Sequence, residues 1–254
     1  MIEGQLPGSA TQGAAEHLPP AGRSTGESGP TEGVAGPLDD PRVLQILSTE
    51  HWSLLSARSL VYNESFARAG MFLTFLSASL VALAFVASAM AFDRTFLLLA
   101  SMLVFVDLVI GLATLGRMLD TSVDDLRAIA GMNRIRNAYV QIAPAVEPFL
   151  SASIHDDSNG VMQTYGEPEV RAPLLAFIHG LTTAGGMITV IDAILAGAFA
   201  GIVATLLGVT LTVALVAAGI GFVIVFGGAN RWAFTTIVGY EEHMESRFPT
   251  PSGK

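Results

Sequence analysis

The stretch that most limits what this chain can fold into is residues 71–92, MFLTFLSASLVALAFVASAMAF, which contains no charged side chain. As an α-helix it extends about 33 Å, enough to cross a hydrocarbon core of roughly 30 Å. A second apolar run, residues 96–115, begins after only three polar residues and contains one charge, Asp107. Two spans joined so closely predict an antiparallel transmembrane hairpin.

A third apolar block covers residues 174–230 and is too long for one span. We expect two spans there, at about 174–197 and 203–230, with a turn near residues 197–201. Composition agrees, because 51% of the 254 residues are hydrophobic and only 14% are charged, against about 25% in a soluble domain. The sequence therefore predicts an all-α fold, a four-span helical bundle of two hairpins in a lipid bilayer.

The polar segments complete this organisation. Residues 1–40 are rich in Gly and Pro, are acidic, and predict a disordered tail. Residues 42–68 fit a helix within a first unit of residues 41–115. It is either a cytoplasmic stalk that leads into the first span and packs against protein, which its serine-rich polar face favours, or a helix that lies on the inner leaflet. Residues 116–173 predict a linker with a helix from Ser122 to about residue 142. A tail at 231–254, with a short helix at 240–248, ends the chain.

Arginine placement predicts the orientation. One end of the predicted spans is flanked by Arg58, Arg68, Arg117, Arg171 and Arg231, whereas Arg94 stands alone at the other end. The positive-inside rule then puts both termini and residues 116–173 in the cytoplasm. We expect a multi-pass protein of a bacterial plasma (inner) membrane.

Polar residues interrupt the apolar stripe of the predicted helix 42–68. His51, Arg58 and Ser65 recur every seven residues on the side where Leu47, Leu54 and Val61 lie. They predict a cytoplasmic polar seam packed against protein, of the kind that sets helix register. The alternative is that Arg58 snorkels past a narrow apolar face.

Two acids and one histidine fall within predicted spans. Asp107 lies near the middle of the second span, and Asp192 lies in the third, thirteen residues after His179. A charge at mid-bilayer costs at least about 2.5–3.5 kcal/mol, so such acids mark ion or proton sites or hydrogen bond between helices. Both interpretations stay open for Asp107 and Asp192. Small residues at Gly180/Ala184, Gly197/Gly201 and Gly219/Gly221 permit close helix packing.

No residue pattern indicates a reaction. The chain has no cysteine and no phosphate-binding, zinc-protease or nucleophile-elbow motif, so we expect no enzyme and no cofactor. The run His155-Asp156-Asp157 lacks the spacing of a metal site and reads as a turn. No basic cluster suggests nucleic-acid binding.

Residues 43–71 and the segment GMNRIRNAY, 131–139, are similar to uncharacterised multi-pass membrane proteins of bacteria, a resemblance that implies a class and no activity. A looser similarity is to the two-span, pore-forming effector modules of bacterial conflict systems, which also place helices around a transmembrane hairpin. Two functions follow as hypotheses: an oligomeric channel-like or ion-handling protein, or a non-catalytic scaffold or partner subunit that acts through its cytoplasmic helices. The expected partners are the bilayer and a second copy or another membrane protein.

Overall fold

The computed structural model describes residues 38, 40–90, 92–166 and 180–251. Within those ranges the protein is helical and has no β-strand. Its elements are α1 (Pro41–Met90), α2 (Arg94–Ile142), a 3-10 helix (Pro144–Phe149), α3 (Ser158–Thr164), α4 (Ala184–Leu206) and α5 (Leu211–Glu242). The predicted tail lies outside the described residues, apart from Leu38 and Asp40, as do residues 174–179 of the third predicted span.

Four helices, α1, α2, α4 and α5, are each long and apolar enough to cross a membrane. Their outer faces expose large apolar side chains, among them Leu80, Phe85, Met102, Val109, Leu215, Ile220 and Val223. Such faces are stable against lipid tails and unstable against water. The all-helical fold and its four apolar helices, as predicted, are compatible with a multi-pass membrane protein. The pairing into two hairpins and the side on which the flanking segments lie stay predictions.

The first two helices run without a break through segments that the sequence divides. α1 has 50 residues and α2 has 49, so each is about 75 Å long, more than twice the thickness of a hydrocarbon core. The predicted helix start at Ser122 is wrong, because the Ser122 hydroxyl donates to the Met118 carbonyl at 2.9 Å within a continuous helix. We call residues 41–70 of α1 and 116–142 of α2 the stalk.

The turn predicted near residues 197–201 is also wrong. α4 continues through both glycines to Leu206. A methyl group on Gly197 would come within 2.9 Å of the Ala218 carbonyl oxygen on α5, so this glycine allows two helices to touch. The chain turns instead at Gly208, whose φ of +79° is unfavourable for any other residue type.

The C-terminal end departs from the predicted helix at residues 240–248. α5 passes through Arg231 and ends at Glu242, and residues 244–251 are not helical. The backbone N–H groups of Arg247, Phe248 and Thr250 bond to two carboxylates rather than to helix carbonyls. A helix cannot continue where its donors are used in this way.

Helix α2 occupies the centre of the bundle. It packs against α1, α4 and α3, while α4 and α5 pack against each other. The largest buried apolar group joins α1, α2, α4 and α5, and a second one fills the stalk. The first group contains Phe72, Val104, Leu115, Met118, Ile188, Leu195 and Ala229, and the second contains Leu126, Ile129, Ala130, Met132 and Val161. Residues on the side of α2 that faces these helices are therefore buried inside the bundle.

Candidate functional site

Asp107 lies on the enclosed side of α2, within the apolar part of the helix, and its side chain is 1% exposed. The Ser79 hydroxyl of α1 donates to Asp107 Oδ1 at 3.0 Å. Ser79 is itself buried, so this is an interhelical hydrogen bond in the interior of the spans. Sequence reasoning identified Asp107 and left Ser79 unnoticed, because a serine inside an apolar helix ordinarily bonds to its own backbone.

Asp192 is the most enclosed acid in the spans. Its side chain on α4 is 0% exposed, and neither carboxylate oxygen has a hydrogen-bond partner within the part of the chain that the structure describes. The carboxylate lies directly against Gly111 of α2, where a methyl group would overlap it, and Phe72 of α1 closes the same spot. Burying an ionised carboxylate without a partner is expensive, so this site is specialised.

The two carboxyl groups lie at the same enclosed side of α2. Gly111 follows Asp107 by four residues on α2, so both point to the same side of that helix, about 6 Å apart along its axis. Asp107 bonds to Ser79 of α1, and Asp192 of α4 contacts the same side of α2 at Gly111. The structure thus brings together two acids that are 85 residues apart in the sequence.

Two threonines near Asp192, Thr183 and Thr189, do not hydrogen bond to it. Thr189 donates its hydroxyl to the Gly185 carbonyl at 2.9 Å, and Thr183 caps the start of α4 by accepting from the Gly186 N–H at 3.1 Å. Both hydroxyls therefore serve their own helix. His179, the third intramembrane candidate, lies outside the described residues.

Small residues pack α4 against α5 at three of the predicted positions. A methyl group on Gly197, Gly201 or Gly221 would meet an atom of the opposite helix within 3.3 Å. Gly180 and Gly219 have no such neighbour within 4 Å. Among the predicted positions, these three allow the backbones of α4 and α5 to approach closely.

Arg58 of the predicted seam faces α2 and pairs with Asp125. Arg58 Nε lies 2.5 Å from Asp125 Oδ1 and Arg58 Nη2 lies 3.3 Å from Oδ2. The Tyr62 hydroxyl donates to the same carboxylate at 3.0 Å, and so does the Tyr165 hydroxyl. Sequence reasoning found Arg58 and missed Asp125.

The same network shifts the pKa values of Arg58 and Tyr165. Burial works against the charge of Arg58, but the hydrogen bond and the charge of Asp125 outweigh burial and raise the pKa of Arg58 further. Burial, and then the hydrogen bond to Asp125, raise the pKa of Tyr165. The guanidinium also lies 5.6 Å from the centroids of both tyrosine rings. Arg58 is permanently charged here and the Tyr165 phenol stays neutral.

The remaining seam residues behave differently from each other. The Ser65 hydroxyl lies 2.8 Å from the Thr121 hydroxyl of α2, and both are buried. His51 lies beside Tyr139, with 6.2 Å between ring centroids, and its Nδ1 has no hydrogen-bond partner among the described residues. Burial and the charge of Arg136 lower the pKa of His51. The imidazole is therefore held neutral at physiological pH.

The acidic turn at residues 155–157 holds the C-terminal segment. Asp156 accepts from Arg134 Nε at 2.5 Å, from the Ser246 hydroxyl at 2.7 Å and from the Phe248 N–H at 2.7 Å. Asp157 caps α3 through the Gly160 N–H and also accepts from the Thr250 hydroxyl at 2.7 Å. We call this set of contacts the tail clamp. Both carboxylates are used as acceptors for protein donors, as a turn and cap require.

A cavity of about 610 Å³ lies between α1, α2, α5 and the first turns of α4. Its stalk end is lined by Tyr62, Asp125 and Tyr165, and its inner end by Leu115 and Thr189. This volume is in the range of small-molecule sites. The cavity therefore extends from the Arg58–Asp125 pair into the apolar part of the bundle.

The chain matches no protein-family model, and no curated protein or solved structure is similar to it.

Proposed function

We propose that this protein moves protons across the membrane, with Asp192 and Asp107 as the two groups that carry them. The observation that supports this most directly is Asp192: a carboxyl group that is 0% exposed, lacks a hydrogen-bond partner within the described residues and lies inside a membrane-spanning helix. Intramembrane acids without a structural partner are rare and are typical of proton relays. Asp107, one turn away from Gly111, supplies a second carboxyl group on the same side of α2.

The chemistry needs only protonation and deprotonation. A carboxylate accepts one proton to become a neutral acid, and the neutral acid is far less costly in a dry interior than the anion. Asp107 has a hydrogen bond from Ser79, whereas Asp192 has none from the residues that the structure describes. The two acids therefore differ in environment, as successive stations of a relay must if a proton is to move in steps.

Proton flux into liposomes tests the proposal. Purified protein is reconstituted with a pH-sensitive dye inside, and a potassium diffusion potential drives proton entry. We expect flux well above that of empty liposomes, at least a tenfold loss in Asp192→Asn, and a clear loss in Asp107→Asn. Asp120→Asn, which changes an acid whose side chain is 68% exposed, is the matched control and should conduct like the wild type. Wild-type flux equal to that of empty liposomes at both polarities would refute the function.

A second candidate function is that of a membrane scaffold that acts through the stalk. The stalk part of α1 exposes Ile46, Trp52, Leu60 and Phe66, each more than 60% exposed and outside the apolar run 71–92. Exposed apolar side chains in a polar segment are typical of protein contacts. Mass measurement in native lipid tests it: a complex that dissociates in Trp52→Ser would support a scaffold, and a monomer without partners would argue against one.

A further inference from the structure

The 610 Å³ cavity reaches to within one helical turn of Asp192 on two helices at once. Thr189 lines the inner end of the cavity and precedes Asp192 by three residues on α4, about 4.5 Å along the axis. Leu115 lines the same end and follows Gly111, the residue against which Asp192 lies, by four residues on α2. The contact between Asp192 and Gly111 therefore lies about one helical turn beyond the inner end of the cavity.

We propose that this cavity is the stalk-side access route to Asp192 and that protons are what it delivers. The proposal rests on the proposed function and adds the side and the route by which Asp192 is loaded. Two buried apolar side chains lie beside this route: Leu115, which lines the cavity and is 2% exposed, and Phe72, whose ring lies at Gly111 and is 1% exposed. In this proposal, displacement of these two side chains opens the way from the cavity to the carboxylate.

The wall of the cavity is mostly apolar and carries several polar groups. Hydroxyl groups from three elements face it, those of Ser65, Thr121, Ser122 and Thr183, together with the carboxamide of Asn230. Ser122 and Thr183 already donate their hydrogens to the carbonyls of Met118 and Gly180, so these groups offer water their remaining oxygen lone pairs, and water needs two to four polar partners to occupy a protein cavity. The Arg58–Asp125 pair stands at the stalk end, where the charges compensate each other.

The surroundings of Asp192 favour a proton over a metal cation. A dehydrated Ca²⁺ or Mg²⁺ ion needs about six or more oxygen ligands. Within the described residues the Asp192 carboxylate has no hydrogen-bond partner, and no group of three or more His, Cys, Asp or Glu side chains comes together there or elsewhere. A proton needs only the carboxylate itself.

Single cysteines test the route, because the natural chain contains none. Thr189→Cys and Leu115→Cys place one thiol at the inner end of the cavity from two different helices. Ser122→Cys marks its exposed stalk end and identifies the stalk side of each vesicle. Ala193→Cys is the matched negative control, because Ala193 adjoins Asp192, is 0% exposed and does not line the cavity. The probe is a membrane-impermeant sulfonatoethyl methanethiosulfonate, applied to either face of proteoliposomes.

We expect Thr189→Cys and Leu115→Cys to react at least tenfold faster than Ala193→Cys, and only from the side on which Ser122→Cys reacts. Reaction at Thr189→Cys should also stop proton flux. Inner thiols that react no faster than Ala193→Cys, or that react from the opposite side, would overturn the proposal. A water-soluble carbodiimide with an amine nucleophile, applied to the unsubstituted protein from each side, gives a second measurement: amidation of Asp192 from the opposite side only, or from neither side, would also overturn it.

The route and the function fail in different ways. If labelling fails but Asp192→Asn still abolishes flux, the access route is wrong and the proposed function stands. If the inner thiols react but wild-type liposomes carry no flux, both the proposed function and the delivery of protons by this cavity are wrong.

Discussion

Asp192 of α4 lies with its carboxylate directly against Gly111 of α2, so closely that no side chain larger than hydrogen fits at position 111. This contact joins the two acid-bearing helices, and it places Asp192 one turn from Asp107 along α2. The contact therefore connects the packing of the bundle with its proposed chemistry.

Gly111→Ala should destabilise the bundle because the added methyl group forces Asp192 or α2 to move. Overpacking of a tight interior typically costs about 1–3 kcal/mol. Gly219→Ala on α5 is the control, since no atom lies within 4 Å of a methyl group there, and it should be neutral or slightly stabilising. Thermal unfolding in lipid nanodiscs measures both. In the double variant Gly111→Ala/Asp192→Ala the loss should largely disappear, and strictly additive losses would show that the two residues do not interact.

Asp125→Ala should be strongly destabilising because it leaves the Arg58 guanidinium without its partner in the stalk. Breaking one side of a buried ion pair typically costs about 3–5 kcal/mol, and Asp125 is 4% exposed. The comparison is Glu64→Ala, which breaks the exposed pair with Arg68 and should cost at most about 1 kcal/mol. Equal losses of melting temperature in the two variants would mean that the Arg58–Asp125 pair does not stabilise the stalk.

The tail clamp should open in acid. Burial works against the charge of Asp156, but hydrogen bonds from the Arg247 backbone and the Arg134 side chain outweigh burial and lower its pKa to about 2. A lowered pKa contributes stability above the ordinary value near 3.8 and loses it as pH falls toward about 2. A spin label at Pro251→Cys should therefore stay immobilised above pH 4 and become mobile between pH 4 and 2.

Asp156→Asn provides the control for that transition. A neutral amide offers one acceptor oxygen where the carboxylate offers two, so the label at position 251 should already be mobile at pH 7. A label that is immobile in this variant, or an unchanged label in the parent at pH 2, would contradict the role of Asp156.

Asp107→Asn should leave bundle stability nearly unchanged, because an amide oxygen still accepts from the Ser79 hydroxyl. Asp107→Leu and Ser79→Ala each remove the bond and should each cost about 0.6 kcal/mol, the average for interhelical hydrogen bonds in membranes. Steric trapping or mild denaturation in bicelles resolves differences of that size. A loss in Asp107→Asn as large as in Asp107→Leu would show that the charge, rather than the hydrogen bond, matters at this position.

Both termini should lie in the cytoplasm, since five arginines flank the spans on that side and Arg94 alone flanks the other. A cytoplasm-active reporter fused after Pro251 should be active, and a periplasm-active reporter inserted at Arg94 should be active as well. The opposite pair of activities would invert the topology and place the stalk cavity on the outer face.

The sequence by itself predicted an all-helical protein with four apolar helices and located the first two of them. Residues 71–92 and 96–115 carry so little charge that lipid suits them far better than water, and this depends on composition and length rather than on partners. It also identified Asp107 and Asp192, because a charge within an apolar run is visible without any structure. Arg58 was found in the same way, from its interruption of a periodic stripe.

Tertiary structure decided which of these residues meet. Nothing in the sequence pairs Asp192 with Gly111 or Arg58 with Asp125, since those contacts depend on the rotation and depth of helices that are far apart in the chain. It also decided where helices end. Gly197 and Gly201 indicate a turn when considered alone, but α5 packs so closely against them that the helix continues, and the turn forms at Gly208. Local preferences amount to about 1 kcal/mol per glycine, which close packing against a neighbouring helix readily outweighs.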